Sequence, residues 1–537
     1  MAVSERHCQV LIAGAGLAGL SAAAYLSRAG YSVLLVEKNE NCGGLLNSFR
    51  RDGFVFDAGA RSIENAGVIR PMLHDLGIEL ELLESPVSIG IESKILGMDS
   101  KNGIEEYRKH LESLYPGNMA DIRRIIRAIH GVMREMRVIY GFDNPVFKNF
   151  RTDTKYIVKE LLPWLGRFLL AVYRMNRMDE PIERYLERLT TNRSLADIVD
   201  QHFFKNTPSF FALGYFFVYL DYLYPKGGTG KLSEKLSRKV LESGGEILLK
   251  TEITSVSPSK NTATDGNGTI YRYDKLIWCA DLKALYRNLE LDGLGDEATR
   301  RIEAESSRVF AGHGGDSVFT VYMGVDRPPA DFAATTNGHL FYTPSREGLG
   351  ETHRSELGQL LSAGKTVSKE RVRTWVEKYC ALTTYEISIP SLRDPSLSPE
   401  GKTGLIVSFL LSYDLVRSVF DAGWYEEFKT LVEDCIVRVL DQAPFPGLKD
   451  RLSLRFSSSP LSIERVYGNS EGGITGWTFE QPSPAVHDLL KIPESVLTPM
   501  KDILQAGQWA YSPAGIPTAI LTGWYAADAI KASRGKS

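Results

Sequence analysis

The hydrophobic pattern of this chain changes period several times, and each change marks a boundary between elements. Val10 to Ala13 is a continuous apolar run, as expected of a strand buried on both faces, and it leads straight into Gly14, Gly16 and Gly19. Leu17 to Arg28 is rich in small residues and predicts a helix. Ser32 to Val36 predicts a second apolar strand, closed by Glu37. After Cys42-Gly43-Gly44-Leu45, the Asp52-Gly53 pair predicts a hairpin turn into an alternating strand, Phe54-Val55-Phe56-Asp57-Ala58-Gly59. From about Lys109 to Tyr224 the period becomes helical. In Met119 to Tyr140 the residues Ile122, Ile125, Ile126, Ile129, Met133 and Met136 keep helix spacing, with arginines largely opposite. That arginine face reads as solvated surface rather than an anion site.

Two later stretches carry alternative readings. Lys155 to Met175 is apolar and aromatic with Lys155, Lys159, Arg167 and Arg174 interspersed. It reads either as a helix lying in a membrane interface or as a buried helix kinked at Pro163. Phe203 to Tyr224 is dense in Phe and Tyr and reads as core or as the wall of an elongated apolar tunnel. Near residue 225 alternating strand and helix patterns return: a helix from Leu232 to Leu241, strands Glu246 to Lys250 and Ile253 to Val256, and a strand from Tyr271 to Ala280. Gly230-Lys231 is not read as a phosphate loop, because Leu232 stands where Ser or Thr is required. Residues 305 to 465 add strands Val318 to Tyr322 and Leu405 to Leu411 and a helix from Tyr425 to Leu440. The chain closes on Gly507-Gln508-Trp509, Gly515-Ile516-Pro517 and a small-residue helix from Thr518 to Ile530.

The predicted organisation is α/β with five segments. Residues 1–100, 225–300 and 471–537 form a discontinuous dinucleotide-binding domain. Residues 101–224 are a helical cap, membrane-facing in one reading, and 301–470 an α+β substrate domain.

The glycines carry the first chemistry. Gly14 permits the tight turn, Gly16 lets backbone approach a pyrophosphate, and Gly19 lets helix pack on strand. Phosphates are favoured at the helix N-terminus by its free N–H groups and dipole. Glu37 is placed to accept both ribose hydroxyls and would repel a 2′-phosphate, so the ligand is FAD or NAD. Ala15, Ala18 and Lys38 flank these positions and are assigned to the same ligand.

Composition narrows the classes. The 537 residues are 43% hydrophobic and 24% charged, ordinary for a globular chain, and the net charge of −3 argues against nucleic acid as a partner. Five scattered cysteines show no C-x-x-C pair, which points to a reducing compartment without a disulfide framework or zinc. The N-terminus lacks a signal peptide's apolar core, and no stretch reaches the ~20 apolar residues of a membrane span. The expectation is a cytoplasmic protein, soluble or peripheral on a membrane, with no metal.

Taken together, these motifs resemble those of the phytoene desaturase, carotenoid isomerase and retinol saturase superfamily of FAD enzymes. The similarity lies in Gly43-Gly44 with Gly53-Phe54-Val55-Phe56-Asp57-Ala58-Gly59, in Tyr224-Pro225-Lys226-Gly227-Gly228-Thr229-Gly230-Lys231, and in Ile387 to Ser396 with Pro399-Glu400-Gly401-Lys402. It implies a glutathione-reductase-like FAD domain with a substrate domain over the flavin ring. It also implies FAD contacts at Gly14, Gly16, Gly19, Glu37, Gly43, Gly44, Asp57, Gly59 and Ile253. Gly507, Gln508, Gly515, Ile516 and Pro517 would complete the site at the flavin. Two departures stand out: Leu45 where many relatives carry Arg, and a C-terminal loop poorer in glycine.

The implied reaction is hydride transfer between flavin N5 and a carbon of an apolar polyene or isoprenoid, giving desaturation, saturation or isomerisation. Candidate proton handlers are Arg61, Glu464, Arg465 and Glu480, each also readable as a structural ion pair. A single dinucleotide fingerprint favours a quinone, oxygen or a soluble donor as electron partner, with transient NAD(P)H binding still open. The alternatives are an amine oxidase and a non-catalytic prenyl-binding escort.

Overall fold

A computed structural model describes residues 4–98, 102–148, 154–362, 367–480 and 482–534. Met1–Val3, part of the N-terminal stretch read above, lie outside them. The first half of the architecture is built on the strand Glu5–Ala13, which pairs in parallel with Val33–Val36 on one side and Ile270–Trp278 on the other. Glu246–Leu248 extends the sheet beyond Val33–Val36, and Ile503–Gln505 joins the far side of Ile270–Trp278, both in parallel. Strands Thr262–Asp265 and Ile253–Ser257 complete it as an antiparallel flap. This sheet is thus assembled from three separated stretches of chain. Its apolar runs are buried on both faces: Val10, Ile12, Val33 and Leu35 pack in one core with helices Leu17–Arg28, Gly230–Glu242 and Ile516–Arg534, and Leu11, Ala13, Leu34 and Val36 pack in another with Leu282, Leu285, Ile302 and Trp509.

The second sheet is mixed and has seven strands, ordered Leu452–Ser458, Val318–Val325, Thr403–Leu410, Tyr385–Ser388, His339–Thr343, Val87–Ile91 and Lys94–Gly97. Its last two strands come from before residue 100, a stretch grouped by sequence with the dinucleotide-binding part. Alternation divides this sheet sharply. Val321, Val407, Tyr385 and Leu340 face a core closed by the helices Lys369–Leu382 and Tyr425–Gln442. The intervening residues face the other way.

Helices between Gly103 and Val218 form a third layer, whose core includes Val87, Ile89 and Phe341 of the second sheet. The stretch Phe203 to Tyr224 resolves into helix Ser209–Val218 and strand Tyr222–Pro225. In Lys155 to Met175, a wide turn at Ile157–Leu161 precedes Pro163, which sits at the start of helix Leu162–Asn176. The ring therefore removes no interior hydrogen bond from that helix. Its outward side is not buried: Val158 is 63% exposed, Leu162 59% and Tyr173 60%. No helix among the described residues is long and apolar enough to cross a membrane.

Candidate functional site

One continuous cavity of about 740 Å³ runs between the two sheets. At one end stand Gly14, Gly16, Glu37 and Ile253; at the other stand Arg61, Tyr215, Tyr222, His339 and Glu386. The glycine turn is held as its sequence requires. Gly14 has φ +102°, and its N–H donates to the Val36 carbonyl. A Cβ on Gly19 would lie 2.0 Å from the Gly14 oxygen, whereas one on Gly16 would meet nothing within 4 Å and would project into open space. The helix begins at Gly16 without a side-chain cap and without an acid in its first turn, leaving its first N–H groups to the cavity.

Glu37, 7% exposed, is fixed by the turn it faces. It accepts from the Ala15 N–H at 2.8 Å and from the Asn39 N–H and Nδ2 at 3.0 Å. Ala15 in turn accepts from Gly43 N–H at 2.8 Å, so the Gly43-Gly44 turn is tied to the first glycines. Gly43, Gly44, Gly59, Ala18, Lys38, Gly507, Gln508, Gly515 and Ile516 all line the same cavity.

Asp57 does not line it. Its carboxylate accepts from Ser48 Oγ and Thr229 N–H at 2.8 Å, Thr229 Oγ at 2.9 Å and Tyr224 Oη at 2.8 Å. The Arg393 guanidinium lies over the Tyr224 ring at 3.9 Å, and Asp394 accepts from Gly227 N–H at 2.9 Å. Three distant motifs therefore meet in one knot beneath the cavity, and the N–H groups of the second glycine run are spent on the protein itself: Gly227 and Thr229 on carboxylates, Gly228 on the Pro225 carbonyl and Gly230 on Ser48 Oγ. Gly19, Ala15 and Pro517 likewise lie behind the wall: Ala15 and Gly19 shape the turn, and Pro517 stands in the first turn of helix Ile516–Arg534.

The wide end is carried by one cross-strand row of the second sheet. Thr320 pairs with Ser408, Ser408 with Glu386 and Glu386 with Phe341. Arg61, 4% exposed, donates from Nη2 to Ser408 Oγ at 2.9 Å and from Nη1 to the Asp57 carbonyl at 2.6 Å. His339 Nε2 stands 3.1 Å from Glu386 Oε1, poorly aligned for a linear hydrogen bond, while Nδ1 meets Ser62 Oγ at 3.1 Å. Burial presses the His339 pKa down. Burial opposes ionisation of Glu386 too, but His339, Arg61 and Arg393 outweigh it and hold that carboxyl below its ordinary value. Glu386 keeps 34% of its side chain exposed, and because it is enclosed among these groups that surface faces the cavity.

Three of the four candidate proton handlers are elsewhere. Glu464 accepts from Tyr413 Oη at 2.9 Å off the cavity wall, and Arg465 is exposed on helix Pro460–Tyr467. Both sit on a helix whose inner face supplies only Ser462, Ile463, Val466 and Tyr467 to the wall. Glu480 pairs with Lys205 at 3.0 Å on the surface. Sequence reasoning missed Glu64, Glu386 and His339. Alternation along Tyr385–Ser388 would have placed Glu386 opposite the core, but not against a cavity.

The sequence profile described as flavin containing amine oxidoreductase matches residues 17–531. The chain belongs to this family. It is therefore a flavin-dependent oxidoreductase. Among curated proteins it is 23% identical over 542 residues to a 4,4′-diapophytoene desaturase of Staphylococcus aureus, covering 95% of this chain and 96% of that protein. Among solved structures it resembles a putrescine oxidase bound to putrescine (15% identical, TM-score 0.58, 98% of this chain and 100% of that one). It also resembles an oxidoreductase from Methanosarcina mazei (14% identical, TM-score 0.57, 96% and 98%). These likenesses place the α/β architecture, with its dinucleotide-binding sheet and second sheet, in the flavin oxidoreductase fold.

The cavity fits that cofactor. Gly16 leaves open space where a Cβ would obstruct a phosphate, the uncapped helix start supplies donors, and Glu37 retains acceptor capacity toward the cavity. Among the described residues, no group of three or more His, Cys, Asp or Glu could hold a metal.

Proposed function

We propose that the family's flavin is here FAD, and that the enzyme acts on a carbon–carbon bond of an apolar polyene or isoprenoid. The observation that carries the substrate reading is the way the cavity ends. Phe204, Phe211, Tyr215 and Tyr222 line its far end, and a further pocket of about 110 Å³ continues among Phe203, Tyr219 and Phe341. The aromatic side of this wall suits a long conjugated chain. The 23% likeness to a diapophytoene desaturase supports the same class.

FAD, when bound, supplies two-electron redox chemistry. Gly14, Gly16, Gly43 and Gly44 would hold its phosphates, Glu37 its ribose, and Gly507, Gln508 and Gly515 the other end. The chain's own work is to keep water out and to hold one C–C pair still, a positioning effect that supplies several kcal/mol.

An amine substrate is the second reading, favoured by the ionised Glu386 in the cavity. The same carboxylate is already matched by His339, Arg61 and Arg393, so an ammonium would enter a region of positive charge. Anaerobic mixing of FAD-loaded protein with 4,4′-diapophytoene, and separately with putrescine, decides between the two. Bleaching of the flavin by the polyene alone is expected; bleaching by the amine alone overturns the reading. Repeating the test with reduced protein and conjugated polyenes gives the direction.

A lipid-borne substrate has to be collected from a membrane. The exposed face of the segment 157–176 presents Val158, Leu162, Leu165, Leu169, Leu170 and Tyr173, flanked by exposed Lys155, Lys159, Arg167 and Arg174. It suits insertion into an anionic interface. The double substitution Leu165→Glu with Leu169→Glu is expected to leave the melting temperature within about 2 °C of wild type, since surface changes stay within about ±0.5 kcal/mol. It should cut co-sedimentation with phosphatidylglycerol vesicles at least tenfold. Equal co-sedimentation would exclude this face as the docking surface.

A further inference from the structure

Glu64 stands at the junction of the two halves of the cavity. It lies on the short strand Ile63–Glu64, in register with Tyr222. A Cβ on Gly515 would lie 3.1 Å from Glu64 Oε1, so the carboxyl touches the loop that opens helix Ile516–Arg534. On the other side it meets the phenols: Tyr215 and Tyr222 both lie within electrostatic reach of Glu64, of Glu386 and of each other. The ionisable groups around Glu64 are Asp221, Tyr140, Tyr215 and Tyr222, and it forms no ion pair among the described residues. Two carboxylates thus share one cavity in opposite surroundings, Glu386 among cations and Glu64 among phenols with a second acid nearby.

We propose that Glu64 is the proton-exchanging catalytic residue, taking a proton from the substrate carbon next to the one that exchanges hydride, or returning it. This rests on the carbon–carbon reading above. In dehydrogenation, one substrate C–H bond loses hydride, with its electron pair, to the oxidised flavin. The neighbouring C–H bond breaks, its electrons become the new π bond, and its proton passes to the Glu64 carboxylate. The substrate loses two electrons and two hydrogens, with the flavin as oxidant; saturation is the reverse. Burial, aided by Asp221, raises the Glu64 carboxyl from 4.5 to about 7, so both protonation states are present at neutral pH, as a general acid–base requires.

Spectroelectrochemistry of the FAD-loaded protein tests this without a substrate. The wild-type midpoint potential is expected to change slope near pH 7, from a proton held beside the flavin. Glu64→Gln should remove that break and Glu386→Gln should keep it. A break that survives Glu64→Gln, or no break in wild type, overturns the proposal. With 4,4′-diapophytoene as probe, Glu64→Gln should slow flavin reduction by about 10²–10³-fold and flatten its pH profile, while Glu64→Asp restores part of the rate. If wild type shows the break but ignores the polyene, the substrate reading fails, and with it proton exchange at a substrate carbon, while the proton held by Glu64 beside the flavin stands.

Stability gives an independent check. Between about pH 4.5 and 7 the folded chain holds a proton on Glu64 that the unfolded chain releases. The contribution of the neutral carboxyl is therefore complete below pH 4.5 and lost as pH rises through 7. Glu64→Gln cannot ionise, so it should melt close to wild type at pH 5 and above it at pH 8. A variant that melts below wild type at pH 8 contradicts this placement.

Discussion

Glu37→Ala is expected to purify nearly colourless, with affinity for added FAD reduced at least about 10²-fold. Charge-assisted hydrogen bonds contribute about 1.5–3 kcal/mol each, and every 1.4 kcal/mol is about tenfold in affinity. Glu37 offers its carboxylate both to the ligand and to the turn. Its removal takes away the acceptor expected for the ribose hydroxyls and also strands the N–H groups of Ala15 and Asn39, which lie 2.8 and 3.0 Å from it. The loop that must approach the phosphates loosens together with the ribose contact. Glu37→Gln keeps an acceptor and should lose less. The flavin-to-protein absorbance ratio measures occupancy, and calorimetry on stripped protein measures affinity. Wild-type flavin content in Glu37→Ala would mean that the nucleotide end of the cavity has been misplaced.

Asp57→Ala should produce the largest loss of stability, about 3–5 kcal/mol, the cost of breaking a buried, hydrogen-bonded charge site from one side. The side chain is fully buried and receives four donors from Ser48, Thr229 and Tyr224. The buried Thr229 and Tyr224 donors would be left without their acceptor. Asp57→Asn preserves shape, but its amide N–H₂ cannot accept, so about half of the loss is expected. Thermal unfolding followed by circular dichroism should show the order wild type, Asn, Ala. The resemblance assigns Asp57 to FAD. The contacts instead predict that whatever Asp57→Ala protein remains folded binds FAD with nearly wild-type affinity. A variant as stable as wild type but unable to bind FAD would restore the ligand role.

Much of the dinucleotide-binding half was legible because its signals are local. A Gly at φ +102° after a buried strand, a small-residue helix and an acid ending the next strand each follow from neighbours in sequence. Helices Leu17–Arg28 and Met119–Tyr140 have the bounds their patterns predict. The return of alternating elements after residue 225 also foretold that the first sheet would be built from separated stretches. Motif spacing was less informative about roles. Asp57, Tyr224 and Asp394 stand out as signature positions, yet Asp57 accepts from Tyr224, and Asp394 from Gly227 of the same motif. A signature can mark a knot that every relative needs as readily as a ligand contact.

The reacting end was not legible for a different reason. Strand alternation says only that Thr320, Ser408, Glu386 and Phe341 face away from the core of their own sheet. Sequence cannot say whether that face meets solvent or an enclosed space, because the answer depends on where another layer lands. The same limit separates Glu464, which the sequence offers as a proton handler, from Glu64, which we propose for that role. Both are acids near turns, but only one is turned inward by its pairing with Tyr222.

By itself, then, the chain determined a dinucleotide-binding sheet, its glycine turn and the acid that closes it, because short-range backbone geometry and helix-end charge are written in consecutive residues. Tertiary structure alone decided which face of the second sheet became a cavity wall, which carboxylates meet there, and how differently each holds its proton. Burial and opposing charge are properties of packed neighbours, and those neighbours come from positions hundreds of residues apart.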